Sequence, residues 1–251
     1  MGPRLAILAV VGILYVWIIV ATIPLRRAIV EEQDMNDYYK NLDREVYIVE
    51  QNYVAMKENP NSDPEDLLDK EEKLALLYWE KRDFPKAIKL IQDVVKKRND
   101  KLDLSNYDEK WVGSQLRLAG IYRDITNWNA SKIAYEAVLG YDQAMAAKHP
   151  EYEEKLARDY NNLGLVLYME ACGHEKKNDR IALLKQSAEK LEKALEIWRK
   201  TKGENSFFEG NTLWNLYLVQ RDMGLKREAE ATKLKAMSID KKSNRKAVAP
   251  L

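Results

Sequence analysis

The sequence predicts an all-α fold: a solenoid of about four helical hairpins preceded by a single transmembrane helix. A helical phrase recurs along the chain, first as Leu74-Ala75-Leu76-Leu77-Tyr78 and again as Leu118-Ala119-Gly120-Ile121-Tyr122. It returns as Asn162-Leu163-Gly164 and as Asn215-Leu216-Tyr217. Self-similarity at such intervals marks units that bury their apolar faces only against one another. Composition agrees, because Gly and Pro number only 10 and 7 in 251 residues while Ala, Leu, Lys and Glu abound. That favours helices over a turn-rich sandwich. The third observation is an uncharged apolar run at the start of the chain.

That run, Leu5 to Ile23, is 19 residues long. At about 1.5 Å per residue it spans roughly 28 Å, close to a hydrocarbon core. Residues 1–27 are therefore read as a membrane anchor. A cleaved leader is the competing reading, but Ile19-Val20-Ala21 is a poor cleavage site, and Tyr15 and Trp17 lie inside a long apolar core. The amino terminus and Arg4 balance Arg26 and Arg27, so the positive-inside rule scarcely orients the span. The expectation is an extracytoplasmic soluble part, with the cytoplasmic side as the alternative.

Residues 28–65 read as a juxtamembrane helix and linker. Tyr38, Tyr39, Leu42, Val46, Val49, Tyr53 and Met56 fall three or four apart on one stripe, and Asn59-Pro60-Asn61-Ser62-Asp63-Pro64 ends it. Residues 66–239 hold the hairpins. Residues 240–251, beginning Asp240-Lys241-Lys242-Ser243-Asn244-Arg245-Lys246, read as a basic, disordered tail.

The repeats resemble the tetratricopeptide repeat (TPR) family. Leu74-Ala75, Tyr78, Ala87, Ile91 and Val94 follow its spacing of packing positions. Leu118-Ala119, Tyr122, Ser131, Tyr135 and Val138 repeat it, with Trp128 in the turn. The third unit starts at Leu163-Gly164 and resumes at Ser187, Leu191 and Ala194. The fourth has Leu216, Gly224, Ala229 and Ala236, with Gln220 and Lys233 where aromatics are usual. Starts 44, 45 and 53 residues apart exceed the roughly 34 of the ordinary repeat, and the segment from Ala147-Lys148-His149-Pro150 to Asn161-Asn162-Leu163-Gly164 resembles the longer variety of kinesin light chains. The excess in the third unit is assigned to an inserted loop, Cys172 to Arg180.

Chemistry is scarce in this sequence. A net charge of +1 argues against a nucleic-acid partner. No nucleotide loop, zinc spacing or nucleophile motif is present. Cys172-Gly173-His174 offers two ligands without a second pair nearby, so no metal is expected. No catalytic residue, cofactor or small-molecule substrate is expected either, and the chain is read as a non-enzyme.

The resemblance implies a groove lined by the first helix of each hairpin. Helical periodicity then places Glu72, Leu76 and Trp79 there, followed by Leu116, Gly120 and Arg123. Further along come Arg158, Asn161, Leu165 and Tyr168, then Asn211, Trp214, Leu218 and Arg221. The residues expected to bind a partner are Trp79, Arg123, Arg158, Asn161, Tyr168, Asn211, Trp214 and Arg221. Asn amides bond a peptide backbone in both senses, Arg forks onto carboxylates, and Trp anchors apolar contact. Packing between hairpins is the competing role for the leucines and tryptophans. The expected function is a single-pass membrane scaffold that binds a peptide or helix of a protein partner. Alternatives are a structural subunit held by its transmembrane helix and convex surfaces, an enzyme, and self-association through the repeats.

Overall fold

The computed structural model describes residues 34–102 and 105–242, which are helices joined by turns. The expected anchor over 1–27 and the tail beyond 242 lie outside the described residues, and no described helix is long and apolar enough to cross a membrane. Described residues up to Arg82 form one compact unit and those from Asp83 onward form another.

The first unit is a pair of helices, α1 over 34–58 and α2 over Pro64–Glu80. Leu42, Val46 and Val49 of α1 and Leu68, Leu74, Ala75 and Tyr78 of α2 are buried. Tyr78 donates its hydroxyl to Glu50 at 2.7 Å, and Lys73 pairs with Glu45 at 2.9 Å. Pro64 suits the first turn, where no backbone donor is needed. Asp63 caps α2 by accepting from the Glu65 and Asp66 amides.

The second unit runs α3 (Phe84–Asn99), α4 (Glu109–Asp124), α5 (Trp128–Lys148), α6 (Glu153–Gly173), α7 (Lys177–Lys202), α8 (Phe207–Asp222) and α9 (Lys226–Lys242). Each helix packs on its neighbours in sequence, and α6 also meets α8. Side-chain caps start four of these helices: Asp83 for α3, Asp108 for α4, Asn127 for α5 and Ser206 for α8.

A left-handed residue reverses the chain in two hairpins of this unit, eight positions after the packing Leu: Thr126 (φ 58°) and Gly224 (φ 80°); Arg82 (φ 60°), at the end of the first unit, stands at the same offset from Leu74. The β-branched Thr126 is the costly case. It is held by the Asn127 amide reaching back to the Tyr122 carbonyl at 2.9 Å, which closes the helix end.

The small residues at hairpin crossings do more than make room. Ser131 of α5 donates to the Ala119 carbonyl at 2.8 Å, and Ser187 of α7 donates to the Gly164 carbonyl at 2.6 Å. A Cβ on Gly164 would stand 2.7 Å from Leu191 Cγ, so glycine is what allows α6 and α7 to meet. The core beyond this crossing combines Leu184, Leu191, Leu195, Leu213, Leu216, Val219, Ala236 and Ile239.

Two expectations need correction. The extra residues of the third hairpin are not a loop, because α6 continues to Gly173 and α7 starts at Lys177. The added turns bury Leu184 in the same cluster as Ala171, so the insertion lengthens both helices and extends their seam. The tail also starts later than expected, since α9 continues through Lys242. Asp240 is buried there and accepts the Trp214 indole N–H at 2.7 Å.

Candidate partner-binding face

The first helices of hairpins two to four, α4, α6 and α8, share a register relative to their packing leucines. Five positions after Leu118, Leu163 and Leu216 stand Arg123, Tyr168 and Arg221. Trp79 holds the same place after Leu74, half-buried on α2 within the first unit.

Two bridges join α6 to α8. Asn215 Nδ2 donates to Asn161 Oδ1 at 3.0 Å, and Tyr168 donates its hydroxyl to Asp222 Oδ2 at 3.1 Å. Both pairs are 54 residues apart, so the two helices run parallel in one register. The bridges are seven residues apart along each helix, roughly 10 Å at the helical rise. Asn161 keeps its Nδ2 donors and Asn215 its Oδ1 acceptor, the complement of one backbone amide.

Asp222 organises the second bridge. It accepts from Tyr168 and from Arg221 Nε at 2.8 Å, and it lies 3.6 Å from Arg180 at the start of α7. Burial, then Cys172 and Asp222, push the Tyr168 hydroxyl above its ordinary range, so it stays a donor at neutral pH. Arg221 Nη2 also approaches the Tyr168 oxygen at 3.5 Å.

Arg158 sits on α6 just ahead of Asn161 and nearly three turns before Tyr168, over a buried acidic pair. Its Nη2 lies 3.3 Å from Asp142 of α5 and its Nε donates to Asp159 at 3.0 Å, while both carboxylates have no exposed surface. Burial, assisted by Asp142, pushes the Asp159 carboxyl up to about 8 against the opposing pull of Arg158. Tyr107 completes the network by donating to Asp142 at 2.8 Å, and Lys155 Nζ lies 3.9 Å from its ring centroid.

The structure therefore joins Asn161, Tyr168 and Arg221 directly across α6 and α8. Asn211 is exposed at the start of α8. Arg123, on α4, pairs with its own neighbour Asp124 at 3.2 Å. Trp214 turns toward α9, bonded to Asp240 and edge-on to Tyr217 at 5.9 Å, so its indole is engaged within the last hairpin. Of the flanking positions, Leu218 and Gly120 are buried while Leu116 and Leu165 are half-buried.

Sequence reasoning missed Asp142, Asp159 and Asp222. The first two carried a signal: Asp142 lies between Val138 and Met145, and Asp159 between Leu156 and Leu163, so each interrupts an apolar stripe at helical spacing. Asp222 carried none, because it is one of many charges near a helix end.

No family model matches the chain, and no curated protein matches it either. Solved structures do. The TPR-like repeats of a kinesin-light-chain type protein from Podosopora anserina are similar at 20% identity and a TM-score of 0.59, over 83% of this chain and 91% of that one. RapI in its apo form is similar at 19% identity and a TM-score of 0.62, over 82% of this chain and 66% of its own. The Rap conjugation gene regulator of plasmid pLS20, in complex with the Phr* peptide, is similar at 16% identity and a TM-score of 0.52, over 84% of this chain and 52% of its own. This chain thus spans about half that regulator's length. Likeness at these identities concerns the fold: the described helices form a TPR-like stack of hairpins.

Proposed function

We propose that this protein is a membrane-anchored scaffold that docks a peptide or helix of a protein partner on its α4/α6/α8 face and so helps to organise a membrane-associated complex. The observation behind this reading is the pair of bridges between α6 and α8. They fix amide, phenol and guanidinium groups in one register on the face where first helices meet, so little ordering remains to be done on binding. The peptide complex of the structurally similar Rap regulator supports a peptide as ligand. The apolar segment Leu5–Ile23 supplies the anchor in this reading. Confinement to a bilayer raises the effective concentration of a partner there without any new contact. Binding, rather than chemistry, is the mechanism proposed.

A second reading is favoured by Ile133 on α5 and Leu234 and Met237 on α9, which are exposed on the second helices. Here the chain is a structural subunit held through its outer surfaces and its anchor. Affinity capture from solubilised native membranes separates the two. Asn211→Ala combined with Arg221→Glu is expected to lose the partner captured by the unaltered chain by about tenfold or more, the cost of a few lost polar contacts. Full retention by this variant would reject the α6/α8 face as the docking surface.

A further inference from the structure

The apolar stripe of α1 is only half covered. Leu42, Val46 and Val49 are buried, yet the same stripe continues toward the start of the helix as Met35, Tyr38 and Tyr39, which are 49%, 45% and 47% exposed. At the helical repeat these three fall on the face that further along holds the buried residues, while Asp34, Asn36, Asp37 and Lys40 occupy the other side. Partial cover comes from the end of α2, where the Tyr38 hydroxyl reaches Glu80. The two tyrosine rings meet edge to face at 5.5 Å and form one amphipathic patch.

We infer that this patch rests in the membrane–water interface, so that the first turns of α1 lie against the bilayer surface. The inference rests on the anchor reading above. The uncharged segment ends at Ile23, and ten residues, 24–33, separate it from the first described residue of α1. Ten residues reach at most about 35 Å when fully extended. A tether of that reach lets Met35, Tyr38 and Tyr39 come down on the surface of a bilayer that contains the segment. Tyrosine suits the location: its ring enters the acyl boundary while its hydroxyl keeps water or headgroup partners. A helix with an apolar stripe and a polar back lies in that plane when a second attachment keeps it there. The back of α1 is acidic at Asp34 and Asp37, so attachment runs through apolar contact rather than through anionic lipid.

The test uses the full chain, with Cys172→Ser, reconstituted in phosphatidylcholine vesicles. Met35→Cys, Tyr39→Cys and Tyr47→Cys each carry a spin label, Tyr47 being an exposed position off the stripe. The expected result is an oxygen-to-nickel accessibility ratio several-fold higher at 35 and 39 than at 47. Equal, water-like ratios at all three positions, in a chain that resists alkaline extraction, would overturn the interface inference and leave the anchor standing. Spin–spin broadening at 35 and 39 without lipid exposure would overturn it in favour of a second copy of the chain. Release of the chain by alkaline carbonate would overturn the anchor reading and this inference with it.

Discussion

Glu209→Gln is expected to lower the stability of the repeat unit by about 2–3 kcal/mol. Glu209 has no exposed side-chain surface and ties three helices together. Its Oε1 accepts from Arg199 of α7 at 2.8 Å and from Lys235 of α9 at 2.9 Å, and its Oε2 accepts the Asn205 amide at 2.6 Å ahead of α8. Burial favours the neutral acid, but Lys235, Arg199 and the Asn205 amide outweigh it and hold the carboxyl below its ordinary range. Loss of the charge leaves two cations without their partner. Both cations are 38–40% exposed and rehydrate in part, which keeps the cost below that of a fully buried pair. The sign with pH follows: a lowered carboxyl contributes stability above its unfolded value near 4, and that contribution fades as pH falls through the folded value. Urea unfolding at neutral pH should show a lower midpoint at unchanged slope. An unaltered midpoint would mean that Glu209 is not the clasp between α7, α8 and α9.

Asp159→Asn is expected to act in the opposite direction at high pH. The Asp159 carboxyl is raised by burial and by Asp142, to about 8. Its contribution is therefore fully present below the unfolded value near 4 and is lost as pH rises toward the folded value. Across that window the unaltered protein should lose stability by up to about 1.4 kcal/mol per pH unit from this group. Asparagine resembles the protonated acid in shape and in its donor, and it does not titrate. Thermal unfolding of both proteins from about pH 5 to about pH 9 should show the variant's curve flattening, with the variant the more stable at the alkaline end. Parallel curves would show that Asp159 is ionised throughout and that Arg158 alone satisfies the pair.

These two carboxylates stand outside the part of the fold that is legible in the sequence. The Leu, small-residue and Tyr spacing predicts the hairpins because each position has one packing task, and that task repeats at every crossing. Ser131 and Ser187 read as small residues, which they are, but their bonds to the Ala119 and Gly164 carbonyls need the crossing itself. The third hairpin misled because Cys172 to Arg180 is polar, and polar residues extend a helix as readily as they make a loop. Leu184, buried against Ala171, decides for helix. Helical periodicity places Trp214 on a first-helix face. Its partner Asp240 lies 26 residues away, in what reads as a solvated tail, so no local pattern joins them. The row Arg123, Tyr168 and Arg221 is visible once a register is chosen, whereas the bridge from Tyr168 to Asp222 exists only in three dimensions.

The central claim is that the first-helix face meets the partner. Site-specific photo-crosslinking of the full chain in native membranes tests it most directly, with a benzophenone residue at Asn211 on α8 or at Ile133 on α5, both exposed. A partner captured from Asn211 and not from Ile133 is the predicted result. Capture from Ile133 alone would contradict the account and place the contact on the outer helices.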